Sequence, residues 1–186
     1  MRDHQPTGFT LLELVVVLVI TGVITGLALP RLDLAGYRAD ASVQGLRTIL
    51  QQAQRASLEQ QYDIYAMFDT AANVVTIAED ANNDGVIQPS EHIRRQTLYE
   101  QTTYAAPPAG IDGDVGTPID GPDLGSMGGV PCIVFHRDGA TSSNVDVYIK
   151  AAADPRAAYR AVRVSRATGR TLWFKYTSRG WVQGGL

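Results

Sequence analysis

The chain has 186 residues, one cysteine, and 16 basic against 19 acidic side chains, for a net charge of −3. That length suits one domain, or one domain plus an appendage. A lone cysteine excludes both an internal disulfide framework and a cysteine-clustered zinc site. The near-neutral total hides an asymmetry: residues 1–155 hold nine basic and 19 acidic residues, whereas residues 156–186 hold seven basic and none acidic.

A short polar stretch, MRDHQPTG, precedes a 21-residue apolar run from Phe9 to Leu29 whose one charged residue is Glu13. As a helix this run is about 32 Å long, close to the thickness of a bilayer core. Its apolar residues leave no polar stripe, which argues against a core helix. It exceeds the apolar region of a usual secretory signal, and no small-x-small cleavage site follows it. A membrane-spanning helix over 9–29 is the expectation. Glu13 is then costly in hydrocarbon unless it finds a partner. Thr10-x-x-Glu13 also reads as a capping box.

Gly8-Phe9-Thr10-Leu11-Leu12-Glu13, the polar leader and the apolar run ending at Pro30 resemble the cleavage and methylation motif of type IV prepilins and type II secretion pseudopilins. The resemblance implies a leader over 1–8, cut between Gly8 and Phe9 by prepilin peptidase, and N-methylation of Phe9. It implies a cytoplasmic N-terminus before processing, an inner-membrane location, a periplasmic C-terminal domain, and pairing of Glu13 with the terminal ammonium of a neighbouring subunit. The Lys and Arg counts flanking the run do not themselves fix orientation.

Over 30–61 an amphipathic continuation of the helix is expected. Val43, Leu46, Ile49, Leu50, Ala53 and Ala56 recur at three- and four-residue spacings, and Arg38, Arg47, Arg55 and Glu59 lie off that stripe. Pro30 is a candidate kink, and Gly22 and Gly26 form a small-x-x-x-small pair. From residue 62 to 186 the period shortens. Strands are predicted over 63–68, 73–78, 93–99, 132–136, 144–150, 159–166 and 171–176, with turns at Arg137-Asp138-Gly139 and Ala167-Thr168-Gly169. Between them, 105–131 holds seven Gly, five Pro and four Asp, the composition of a long irregular loop. The fold class is α+β: a long N-terminal helix packed on a small antiparallel β domain. The element order, Phe135-x-x-x-Gly139 and Thr168-Gly169-Arg170 resemble the H-type minor pseudopilin (GspH) and FimT minor-pilin family. The pilin-like fold, a non-enzymatic role and partnership with other pseudopilins or pilins follow from that resemblance.

Two further motifs bear on function. Residues 80–91 match the calcium-loop pattern, with Asp80, Asn82, Asp84 and Glu91 offering side-chain oxygens, Val86 a carbonyl, and Gly85 the sharp turn. The flanks read as strands and not as the helices such a loop needs, so a polar hairpin turn is the plainer reading. No cofactor is required; calcium is the one candidate. In the basic tail, Arg163, Arg170, Lys175 and Trp173 combine cations with an aromatic ring, a pairing that suits nucleic acid. FimT-type minor pilins bind DNA through a Gly-Arg-x-Arg element. The matching positions here are Gly169-Arg170-Thr171-Leu172, with Leu172 in place of the second Arg. Electrostatic docking against acidic surface is the other reading. Catalysis is disfavoured: His4, His92 and His136 are scattered, and Cys132 and His136 are too far apart along a strand to form a nucleophile–base pair.

Overall fold

A computed structural model describes residues 9–28, 33–106, 109–111, 116–119, 121, 124–151 and 158–185, the side chains of 27 and 28 excepted. The chain divides into two compact units, residues 1–34 and 35–186. The first contains helix α1, Leu11–Ala28. Its 18 residues make a rod of about 27 Å, against about 30 Å for a hydrocarbon core. Among the described residues no helix is long and apolar enough to cross a membrane. The expected span over 9–29 is therefore met only by this shorter helix. Gly8 and the leader lie outside the described residues, as do Pro30 and the expected kink.

The second unit opens with α2, Leu34–Gln60. Val43, Leu46, Ile49, Leu50 and Ala53 are all buried, so the predicted stripe is the face that packs. Eleven strands follow among the described residues: β1 Asp63–Asp69, β2 Val74–Asp80, β3 Ile93–Thr97, β4 Thr102–Tyr104, β5 Thr117–Pro118, β6 Ser126–Met127, β7 Val130–Phe135, β8 Val145–Ala151, β9 Tyr159–Val164, β10 Thr171–Thr177 and β11 Gly180–Gln183. They form a five-stranded antiparallel sheet, ordered β3-β2-β1-β7-β6, and a six-stranded sheet. In the latter, β11-β10-β9-β8-β4 are antiparallel, and β5 pairs with β8 in parallel. The α+β class is as expected. All seven predicted strands are present within a residue or two at most ends. The very short β4, β5 and β6, and the terminal β11, were not predicted.

Alternation decides what each strand faces. Ile64, Ala66 and Phe68 of β1 and Val145, Val147 and Ile149 of β8 enter one core with the α2 stripe. The opposite face of β8 is buried as well, through Asp146 and Tyr148. The described part of the Gly/Pro-rich segment accounts for this. Ile111 joins Tyr148, Ala161 and Phe174 in a second, smaller cluster. The Trp181 indole donates to Ala109 O at 2.7 Å, and Arg163 Nη2 reaches Ile111 O at 3.4 Å. The segment is thus a strap over the six-stranded sheet and not an irregular loop throughout. Gly116 lies so close to Asp146 that a Cβ there would sit 2.4 Å from its carboxylate.

Under the strap, Arg163 grips Asp146 with two hydrogen bonds, at 2.7 and 2.8 Å. The side chains are 13% and 1% exposed. Removing one partner leaves a buried charge unpaired, which costs far more than the pair contributes net. Asp146→Ala is expected to lower stability by about 3 kcal/mol, measured by urea denaturation of the full chain. Asp146→Leu combined with Arg163→Met should recover most of that loss.

Candidate assembly site at the N-terminal helix

Thr10 starts α1. Its hydroxyl accepts the Glu13 amide at 3.2 Å, and its carbonyl accepts the Leu14 amide at 3.2 Å. This is the threonine half of the expected capping box. The reciprocal bond from the Glu13 carboxylate is absent, and that carboxylate has no partner among the described residues. Around it, Phe9, Leu11, Leu12 and Leu14 are exposed by 84, 82, 74 and 58%. Further along, the Thr21 hydroxyl returns to Val17 O at 2.8 Å and that of Thr25 to Thr21 O at 2.8 Å. The helix thereby meets its own polar needs. An apolar rod exposed on every face requires covering by lipid or protein, and one carboxylate near its start is left to be neutralised.

Residues 5–29 match the family model of the prokaryotic N-terminal methylation motif. The match covers both sides of the expected cut and the whole of α1. In general terms the motif brings a membrane-anchored N-terminus, a prepilin peptidase and other pilin-type subunits as partners. A comparison with curated proteins finds no match. Among solved structures, the minor pseudopilin EPSH from the type II secretion system of Vibrio cholerae aligns over 80% of this chain and 96% of its own, at 11% identity and a TM-score of 0.38.

The 80–91 segment connects β2 to β3, so its flanks are strands. Its side-chain oxygens help hold the connection together. The Asp80 carboxylate accepts the Asp84 and Gly85 amides at 3.1 and 2.8 Å, and Asp84 accepts the Val86 amide at 2.8 Å. That amide, with side-chain donors from Asn82 and Gln88, holds the Asp84 carboxyl below its ordinary value. Glu91 accepts the Ala81 and Gln88 amides at 3.0 and 2.7 Å. Among the described residues no group of three or more His, Cys, Asp or Glu side chains is gathered as a metal centre.

The four residues expected to meet nucleic acid do not act together. Arg170 and Lys175 are exposed. Arg163 is committed to Asp146 beneath the strap. Trp173 is half-buried against the main core and gives its indole N–H to Gly185 O at 3.0 Å. Trp173 is therefore not a free stacking platform beside Lys175. The C-terminal residues fold back over the indole, so closely that a Cβ on Gly184 would sit 1.9 Å from the ring. A second tail cation, Arg160, is buried against Asp40 of α2. Cys132 is a buried strand residue whose thiol is pushed up by desolvation, which suits packing and not reactivity.

Sequence reading missed a polar cluster at the base of the 80–91 connection. Glu79 is 8% exposed. It accepts the Tyr62 hydroxyl at 2.8 Å, lies 3.0 Å from His92 Nδ1 and stands 3.8 Å from Arg94. Burial alone would raise its pKa, but those hydrogen bonds and neighbouring charges together hold it below the ordinary 4.5. Burial, reinforced by Glu79, pushes the Tyr62 hydroxyl up to about 12. A lowered carboxyl pKa stabilises the fold above the unfolded value, and that gain is lost as pH falls through the folded value. Glu79→Gln should therefore destabilise the domain at neutral pH and have little effect well below pH 4.5, as measured by denaturant melts at both extremes.

Proposed function

We propose that this protein is a minor pseudopilin, a structural subunit of the periplasmic filament of a type II secretion system, with no catalytic role. The observation that carries the reading is the unpartnered Glu13 carboxylate in an otherwise apolar helix, inside the methylation motif, at the fifth position after the expected cut. In this reading prepilin peptidase cuts after Gly8 and methylates Phe9. The helix crosses the inner membrane once, with its N-terminus cytoplasmic and the β domain periplasmic. Glu13 meets the terminal ammonium of a neighbour as the subunit leaves the bilayer. Two charges that are costly singly become tolerable as a pair, which favours a single docking register.

A FimT-like minor type IV pilin, acting in pilus assembly or DNA uptake, is the second reading. The exposed Arg170 and Lys175 favour it. Salt-sensitive gel retardation of DNA that is lost in Arg170→Ala would select it. Calcium at 80–91 is a separate proposal resting on ligand spacing alone. Calorimetric titration should give heat that disappears in Asp80→Asn, and no heat with millimolar calcium would refute it.

Glu13→Ala is expected to leave leader cleavage intact, seen as the shorter band on a gel. The same change should cut recovery of the subunit in sheared filaments by about tenfold or more, the scale of losing a desolvated ion pair. Normal incorporation would refute the pairing. A bulky residue in place of Gly8 should leave the leader uncut.

A further inference from the structure

A cavity of about 650 Å³ opens between the β7–β8 and β9–β10 turns. It lies at the end of the domain where α2 terminates: Gln54 of α2 donates to Thr168 O, and Leu58 packs against Gly139. Its lining includes His136, Ser142, Asn144, Ser165 and Arg166.

The frame of this cavity is cross-linked by hydrogen bonds. Thr141, 2% exposed, places its hydroxyl 3.0 and 3.3 Å from the carbonyls of Ser143 and Ser165. Its amide donates to Arg166 O at 2.8 Å. Asn144 Oδ1 accepts the Arg166 amide at 2.7 Å. These bonds tie the two turns together and leave donors over. Asn144 keeps its NH2 group, and Ser142, which accepts the Val134 amide at 3.1 Å, keeps its hydroxyl proton. The Ser165 hydroxyl and the whole Arg166 guanidinium have no partner among the described residues. His136 is held through Nδ1, 3.1 Å from Asp63 Oδ2, so Nε2 is the nitrogen left for a ligand, and it donates only when the ring is protonated.

Among the described residues no carboxylate lines the cavity. Asp63 stands behind His136 with Arg137 at 4.0 Å, and Asp138 accepts the Ala140 amide at 2.9 Å. A cavity rich in donors, carrying a guanidinium and with no acid in its described lining, selects a ligand rich in acceptors and negative charge. Its volume is larger than one oxyanion fills. We propose that it binds an oxyanion, a carboxylate or phosphate group carried on a larger polar molecule, with Arg166 as the principal contact. This site stands independently of the assembly reading.

The test titrates the detergent-solubilised full chain, at constant ionic strength, with citrate and separately with inorganic phosphate. Saturable binding by calorimetry is expected, with a dissociation constant of about a millimolar or tighter for at least one of them. Arg166→Gln should weaken it by at least about tenfold, the scale of a charge-assisted hydrogen bond. Arg179→Gln, at an exposed arginine outside the cavity, should leave it unchanged. Preference for citrate identifies a carboxylate source, and preference for phosphate a phosphate source. The proposal is overturned if neither anion saturates, if Arg166→Gln binds as the parent does, or if Arg179→Gln weakens binding as much as Arg166→Gln.

Discussion

The apolar stripe of α2 is the constraint on which the domain rests. The two sheets share no strand, and the inner face of each is apolar. Val43, Leu46, Ile49, Leu50 and Ala53 belong to the same core as β1, β2 and β7 of one sheet and β8 and β9 of the other. Neither sheet could bury that face alone. At the far end of the helix the sheets are also tied by their turns. Thr141 bridges to Phe135 on one side and bonds to Arg166 on the other. Gly169 approaches Gly139 so closely that a Cβ on Gly169 would sit 2.4 Å from Gly139 O. Both glycines have positive φ, 83° at Gly139 and 61° at Gly169, so conformation favours glycine at each position and space favours it as well at Gly169.

Much of this was readable in the sequence because it rests on local pattern. A period near 3.6 placed α2, alternation placed the seven longer strands, and Gly139 and Gly169 marked the turns. The candidate assembly site was equally legible: an isolated carboxylate in an apolar run is visible without coordinates. What escaped depends on contacts distant in sequence. Strands of two or three residues such as β5 and β6 have no period to detect. The strap could not be told from a loop, because its composition records turns and not the sheet it covers. Glu79, His92 and Tyr62 converge only once β1, β2 and the connection to β3 are in register.

The charge asymmetry changes meaning in the same way. A tail of seven cations after an acidic body looks like a surface prepared for a polyanion. Two of those cations, Arg160 and Arg163, are folded against Asp40 and Asp146 of the same chain. Part of the imbalance is therefore settled inside the domain. Arg166, Arg170, Lys175 and Arg179 remain exposed.

The self-satisfied hydroxyls of α1 carry a consequence for motion along its axis. Thr21 and Thr25 give their protons to the carbonyls one turn back, so the described face of the helix offers neighbours little but methyl and methylene groups. Aliphatic contacts are individually weak and non-directional, so exchanging one for another changes the energy little. In the proposed assembly, position along the axis is read at a single point, Glu13. In that assembly the helix is a slider with one notch.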